Sequence, residues 1–167
     1  PRREDEMAER RYWLFKSEPN AYSFAHLQAE EDQTAEWDGV RNFQARNRIR
    51  DEMKIGDSVL IYHSSCAKPA IVGEARVTRA PYPDPSQFLP DHPGFDARST
   101  QSSPRWYQVD ITFRTRYANP VYLKQLKVNP EFADMELVVR PRLSVQKLTD
   151  RQYQLVQVLC QPMDVTA

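Results

Sequence analysis

The sequence predicts an α+β fold: one curved, mostly antiparallel β-sheet closing towards a barrel, with helices flanking it. Three observations carry that expectation. Segments that read as strands, alternating or rich in aromatics, outnumber those that read as helices. The connections between them are too short for repeated strand–helix–strand crossovers. The chain has 167 residues, and a single domain of about 100–200 residues buries enough surface to fold without staples.

In chain order, residues 1–10 read as a charged tail, 11–160 as the domain and 161–167 as a short C-terminal tail. The aromatic run Tyr12–Ser17 (YWLFKS) reads as a strand that stops near Pro19. Asn42 is placed to cap a helix over 43–54, with Phe43, Ile49 and Met53 near one face and Gly56 just past its end. Residues 59–63 and 70–78 read as strands; in the second, Ile71, Gly73, Ala75 and Val77 share a face. Six of the thirteen prolines fall between Pro81 and Pro104, which predicts a long loop of the kind that covers binding sites. The alternation Tyr107, Val109, Ile111, Phe113 marks a half-buried strand. A helical turn over 121–126, a short strand over 143–145 and a helix over 150–159, capped by Thr149, complete the chain. Trp13 and Trp106 are expected in the core.

Lys+Arg and Asp+Glu both total 23, so the net charge is zero. General phosphate attraction favours basic proteins, so tight non-specific nucleic-acid binding is not expected. The charge is unevenly spread, however. Residues 1–36 hold five basic and nine acidic side chains, whereas 41–54 hold five basic and two acidic. No apolar run approaches the roughly 20 residues of a membrane helix, and the N-terminus lacks the apolar core of a secretory signal. With two cysteines, Cys66 and Cys160, outside any CxxC pattern, a disulfide is neither supported nor excluded. These features suit a soluble protein of a reducing, intracellular compartment, with nucleus and cytoplasm both open, and a monomer with no membrane partner.

Several chemistries have no motif here. The four glycines are too scattered for a phosphate loop or a dinucleotide fingerprint, so no nucleotide cofactor is expected. The three histidines lack ligand spacing, and no metal is expected. There is no GxSxG elbow. Lys16, Ser17 and Glu18 form the one compact set with catalytic types, yet on a strand Lys16 and Glu18 share a face that Ser17 does not. No residue is therefore assigned a catalytic role.

An ordered series of segments carries a family resemblance: WLFKSEPNAY (13–22), EWDGVRNFQARNRIR (36–50), MKIGD (53–57), IYHSS (61–65), IVGEARV (71–77), APYPDP (80–85), PRWYQVD (104–110) and RLSVQKLT (142–149). Together they resemble the EVE domain family of the PUA-like superfamily, over about 11–159. The resemblance implies a PUA-like sheet related to YTH, ASCH and PUA domains. It also implies nucleic-acid binding with recognition of a modified base, with 5-methylcytosine or 5-hydroxymethylcytosine, or a modified RNA base, as candidates. The rival functions are an ASCH-like amidohydrolase of modified nucleosides, using Lys16, Ser17 or Glu18, and a protein-interaction adaptor with a vestigial pocket.

A base reader needs an aromatic wall, polar groups for the base edge and positive charge for flanking phosphates. The sequence offers Trp37 and Tyr62 as walls and Ser17, Asn42, His63 and Ser64 as edge readers. Lys16 is a candidate for the rim, Tyr82 and Asp84 for a closing loop, and Arg41, Arg46 and Arg48 for phosphate. Each has a plainer rival. Trp37 divides evenly between pocket wall and core lid, Asn42 is fully explained as a helix cap, Ser64 and Asp84 as turn residues, and Lys16 as a partner of Glu18.

Overall fold

A computed structural model describes residues 10–162, so the segments 1–9 and 163–167, which hold most of the two expected tails, lie outside it. The described chain forms strands β1 (Tyr12–Ser17), β2 (Thr34–Glu36), β3 (Ser58–His63), β4 (Ala70–Pro83), β5 (Tyr107–Tyr122) and β6 (Val145–Leu148). Five α-helices accompany them: α1 (Phe24–Ala29), α2 (Phe43–Glu52), α3 (Leu123–Val128), α4 (Glu136–Val139) and α5 (Asp150–Leu159). The strands make one sheet in the order β2-β5-β4-β3-β1-β6. Only β1 and β3 pair in parallel; the other neighbours are antiparallel. The sheet is mixed and stays open, with β2 and β6 as edges, rather than closing into a barrel.

Period-two alternation divides the core between the two faces of this sheet. Trp13, Phe15, Val59 and Ile61 point to one side, where they meet Phe24 and Leu27 of α1 and Ala45 and Ile49 of α2. Leu14, Leu60 and Tyr62 point to the other, against Leu126 of α3, Leu137 of α4 and Val156 of α5. Gly73 lets the first face close tightly, since a Cβ there would stand 2.3 Å from the Phe24 ring and 2.6 Å from the Thr115 carbonyl. The buried Asp57 carboxylate ties β1 to the turn before β3, accepting from the Trp13 indole at 2.9 Å and the Lys54 amide at 3.0 Å.

The proline-rich segment connects a long hairpin. β4 runs on to Pro83 and β5 on to Tyr122, through register shifts that bend the pair. The expected turn over 121–126 is therefore partly strand. Fully buried Gln87 closes the base of the connection: its amide donates to Asp84 and Trp106 carbonyls and its carbonyl accepts from the Arg105 and Trp106 amides. The last strand lies at 145–148 rather than 143–145. Gln146 decides this, since its side chain is buried and donates to the Leu143 and Arg140 carbonyls, fixing the preceding residues as a turn. The caps on Asn42 and Thr149 form as their residue types predict. Cys66 and Cys160 are free thiols. No helix among the described residues is long and apolar enough to cross a membrane.

Candidate functional site

Pairing of β2 with β5 delivers the chain to Trp37, whose amide donates to the Val109 carbonyl at 2.8 Å. The backbone then turns at Gly39, where φ is +80°, a conformation that favours glycine. Asp84 holds this turn. Its side chain is fully buried and accepts from the Gly39 amide at 2.9 Å, the Arg41 guanidinium at 3.0 Å, and the Ser86 amide and hydroxyl at 2.8 and 2.6 Å. Arg41 spends its five donors on Asp84, Ser86 and the Val40 and Gly94 carbonyls. A Cβ at Gly94 would stand 2.7 Å from the guanidinium, so any larger residue there would have to displace the Arg41 side chain. Asn42 follows and caps α2 through its side-chain oxygen, 3.0 Å from the Ala45 amide.

This loop forms one wall of a cavity of about 690 Å³. The end of β1 and the turn after it form the other, with Lys16, Ser17, Glu18 and Tyr22, while Ser144 closes one end. Trp37 is half-buried. Its ring stacks on Phe15 at 5.3 Å between centroids and meets the Tyr22 ring edge-on at 6.0 Å. It is thus both a lid on the core and a lining of the cavity. The Ser17 hydroxyl donates to the Tyr22 carbonyl and the Lys16 ammonium to the Pro141 carbonyl.

The lining carries Lys16 and Arg41 against Glu18, Glu30, Glu36 and Asp38. Burial holds the Lys16 ammonium below its ordinary pKa. The Tyr22 phenol is pushed up to about 12, first by burial and then by its hydrogen bond to Glu30. For Asp84, burial alone would raise the pKa, but hydrogen bonds from Ser86, Gly39 and Arg41 outweigh it and hold the carboxyl below its ordinary value. Glu136 is held low in the same way, burial being outweighed by Arg48 and the Lys147 amide. Both groups therefore contribute stability above their unfolded values, about 3.9 for Asp and 4.3 for Glu. That contribution is lost as pH falls through the folded values. We expect acid to unfold the protein below about pH 4, with a shallower acid limb for Glu136→Gln in denaturant titrations at stepped pH. Equal slopes for the two proteins would contradict the assignment.

Five of the sequence candidates meet at the cavity: Lys16, Ser17, Trp37, Arg41 and Asn42. The other candidates lie away from this cavity. Tyr62 is buried on the opposite face of the sheet, so its ring is no wall of this cavity. His63 accepts the Phe24 amide at the start of α1, with its pKa lowered by burial and then by Arg116. The Ser64 amide donates to the Ser17 carbonyl, behind the lining. Tyr82 donates to Asp110 under the Arg79 guanidinium, and Asp84 is buried beneath the loop rather than closing over it. Arg48 is buried in a bidentate pair with Glu136, at 2.6 and 2.8 Å, which clamps α2 to the segment before β6 and removes it from any phosphate path. Arg46 donates to the Arg105 carbonyl and the Asn47 side chain. Sequence reasoning missed Tyr22, Glu30, Glu36, Asp38 and Ser144. Tyr22, Glu36, Asp38 and Ser144 lie within the quoted family segments, which was their one signal; Glu30 lies outside them all. Among the described residues no cluster of His, Cys, Asp and Glu is suited to a metal.

The family model of the EVE domain matches residues 11–159. The chain belongs to the EVE domain family. Thymocyte nuclear protein 1 of Mus musculus is 38% identical over 162 residues, covering 87% of this chain and 71% of that protein. The Homo sapiens protein is 36% identical over the same length. Human THYN1 in complex with 5-methylcytosine-containing DNA superposes on this EVE domain with a TM-score of 0.85, at 34% identity, covering 92% of this chain and 99% of that one. A protein from Pseudomonas putida matches at 40% identity and TM-score 0.84, covering 89% of this chain and 99% of its own. A Zymomonas mobilis ASCH mutant protein shares the fold alone, at 16% identity and TM-score 0.51.

Proposed function

We propose that this EVE domain is a reader of modified bases in DNA, and that the base it draws into the cavity is a cytosine carrying a methyl or hydroxymethyl group at C5. The observation that carries the reading is the human THYN1 complex with 5-methylcytosine DNA, a relative that matches nearly the whole domain.

The cavity chemistry supports it. A base can be read on all edges only once it leaves the stack, so it needs a flat surface to replace its neighbours. Trp37 is backed by Phe15 and offers such a surface, where stacking is worth about 1–3 kcal/mol per base. The volume, about 690 Å³, lies in the range usual for small-molecule sites. With four carboxylates against two cations, the lining repels phosphate but accepts hydrogen bonds from an exocyclic amine. Carboxylates are natural acceptors for the cytosine 4-amino group. Ala21 and Ala35 add small apolar surface against which a methyl group can rest.

Lys16, Ser17 and Glu18 also line the cavity, which is the observation that favours an amidohydrolase. Against it, the Ser17 hydroxyl and the Lys16 ammonium both donate to backbone carbonyls, so neither is paired with a base that would activate it. One experiment addresses both readings. Oligonucleotides identical except for cytosine, 5-methylcytosine, 5-hydroxymethylcytosine or N6-methyladenine at one position are titrated, then recovered for mass spectrometry. We expect tightest binding to a C5-modified cytosine and recovery of every strand unchanged. Equal affinity for all four would remove the reader, and a deaminated or hydrolysed product would establish the enzyme.

A further inference from the structure

The acid-rich lining raises a question of its own: a base in this cavity brings phosphates that the cavity repels. The basic candidates of the sequence do not receive them. Arg41 has every donor engaged and Arg48 is buried against Glu136. On the outer side of α2, Arg50 is paired with Asp51 and Arg105 with Asp96, while Arg46 is held by the Arg105 carbonyl.

A second groove, of about 490 Å³, adjoins the cavity at Asn42 and is lined by Gln44, Arg140, Pro141, Arg142 and Leu143. Its relation to the cavity is fixed by two bonds. The Lys16 amide donates to the Ser144 carbonyl at 3.1 Å, and the Lys16 ammonium donates to the Pro141 carbonyl. The segment that walls the groove is thus tied to the cavity rim. Arg140 and Arg142 are both exposed, and among the described residues no ion pair engages either. Glu136, on the helix just before Arg140, is already matched by Arg48. A guanidinium with free donors is well shaped for bidentate contact with phosphate.

We infer that the Arg140–Arg142 groove is the phosphate-binding track of this domain, gripping the nucleic-acid backbone beside the base held in the cavity. The inference rests on the reader function proposed above. It divides recognition in two: Trp37 and the carboxylates select the base, and the two arginines supply sequence-independent grip.

The test measures binding of a 5-methylcytosine oligonucleotide and its unmodified twin across a salt series, using the wild-type domain, Arg140→Gln/Arg142→Gln and Trp37→Ala. Each neutralised phosphate adds about 0.7–0.9 to the salt slope, so the arginine variant should be shallower by roughly 1.4–1.8. Between 50 and 200 mM salt the wild type should lose about ten-fold more affinity than the variant. Preference for the modified base should persist, and melting should not change because both side chains are exposed. A wild-type slope in the arginine variant would overturn the inference while leaving the cavity reading intact. Failure of the cavity reading looks different: Trp37→Ala then keeps wild-type affinity and preference, and that result overturns both.

Discussion

Replacing Trp37 with alanine should weaken binding of a modified oligonucleotide by five- to hundred-fold, because a stacking surface worth about 1–3 kcal/mol is removed. The loss should fall mainly on the modified strand, so preference shrinks as well as affinity. Trp37 also covers Phe15 and touches Tyr22, so the same variant should melt lower. A fully buried tryptophan would cost about 3–5 kcal/mol of stability, and a half-buried one less. Trp37→Phe separates the two effects. It keeps an aromatic plane over Phe15 and should restore most of the binding. Binding lost in both variants with unchanged melting would point to the indole edge rather than its face. Binding retained in Trp37→Ala would place the ligand elsewhere.

Asp84→Ala should be the most damaging single change to the fold near the site. The carboxylate is fully buried with a cation against it, and removing one partner of such a pair typically costs about 3–5 kcal/mol. At this chain size each kcal/mol is worth roughly 2–4 °C, so melting should fall by roughly 6–20 °C. The physical cause is threefold: Arg41 loses its countercharge, Ser86 its acceptor, and the Gly39 turn its anchor. Because that turn presents Trp37 and Asn42, the folded fraction should also bind modified DNA more weakly. Asp84→Asn keeps one acceptor oxygen and should be milder on both counts. A melting temperature within a few degrees of wild type for Asp84→Ala would contradict this account of the loop.

Local sequence rules carried the parts of this fold whose causes are local. The alternation of Tyr107, Val109, Ile111 and Phe113 sorts those residues correctly onto one face, and a single side chain decides each of the caps at Asn42 and Thr149. α1 was missed because six residues are too few to show a helical period, although Ser23 and His26 form its capping box. β2 was missed because three residues cannot alternate; it exists only as a partner of β5. Placement of the candidate site residues divides along the same line. The loop setting of Trp37 and Asn42 was legible. The roles of Arg41 and Arg48 were not, because each is set by a carboxylate far away in sequence, Asp84 and Glu136. A run of arginines announces charge but not which of them remain free. Of the exposed pair, Arg142 opens a segment singled out only for its family pattern, and Arg140 lies just before it.

The three tryptophans offer the most direct test of the central claim, that the base sits against Trp37. The Trp13 indole is bonded to Asp57 and the Trp106 indole to Asp96, at 2.9 and 2.7 Å, so both are fixed reporters away from the cavity wall. In ¹⁵N–¹H correlation spectra of the labelled domain, titration with a 5-methylcytosine oligonucleotide should shift the Trp37 indole resonance and leave the Trp13 resonance in place. The unmodified twin should move Trp37 only at higher concentration. A Trp37 resonance that stays fixed while the oligonucleotide is demonstrably bound would contradict the account.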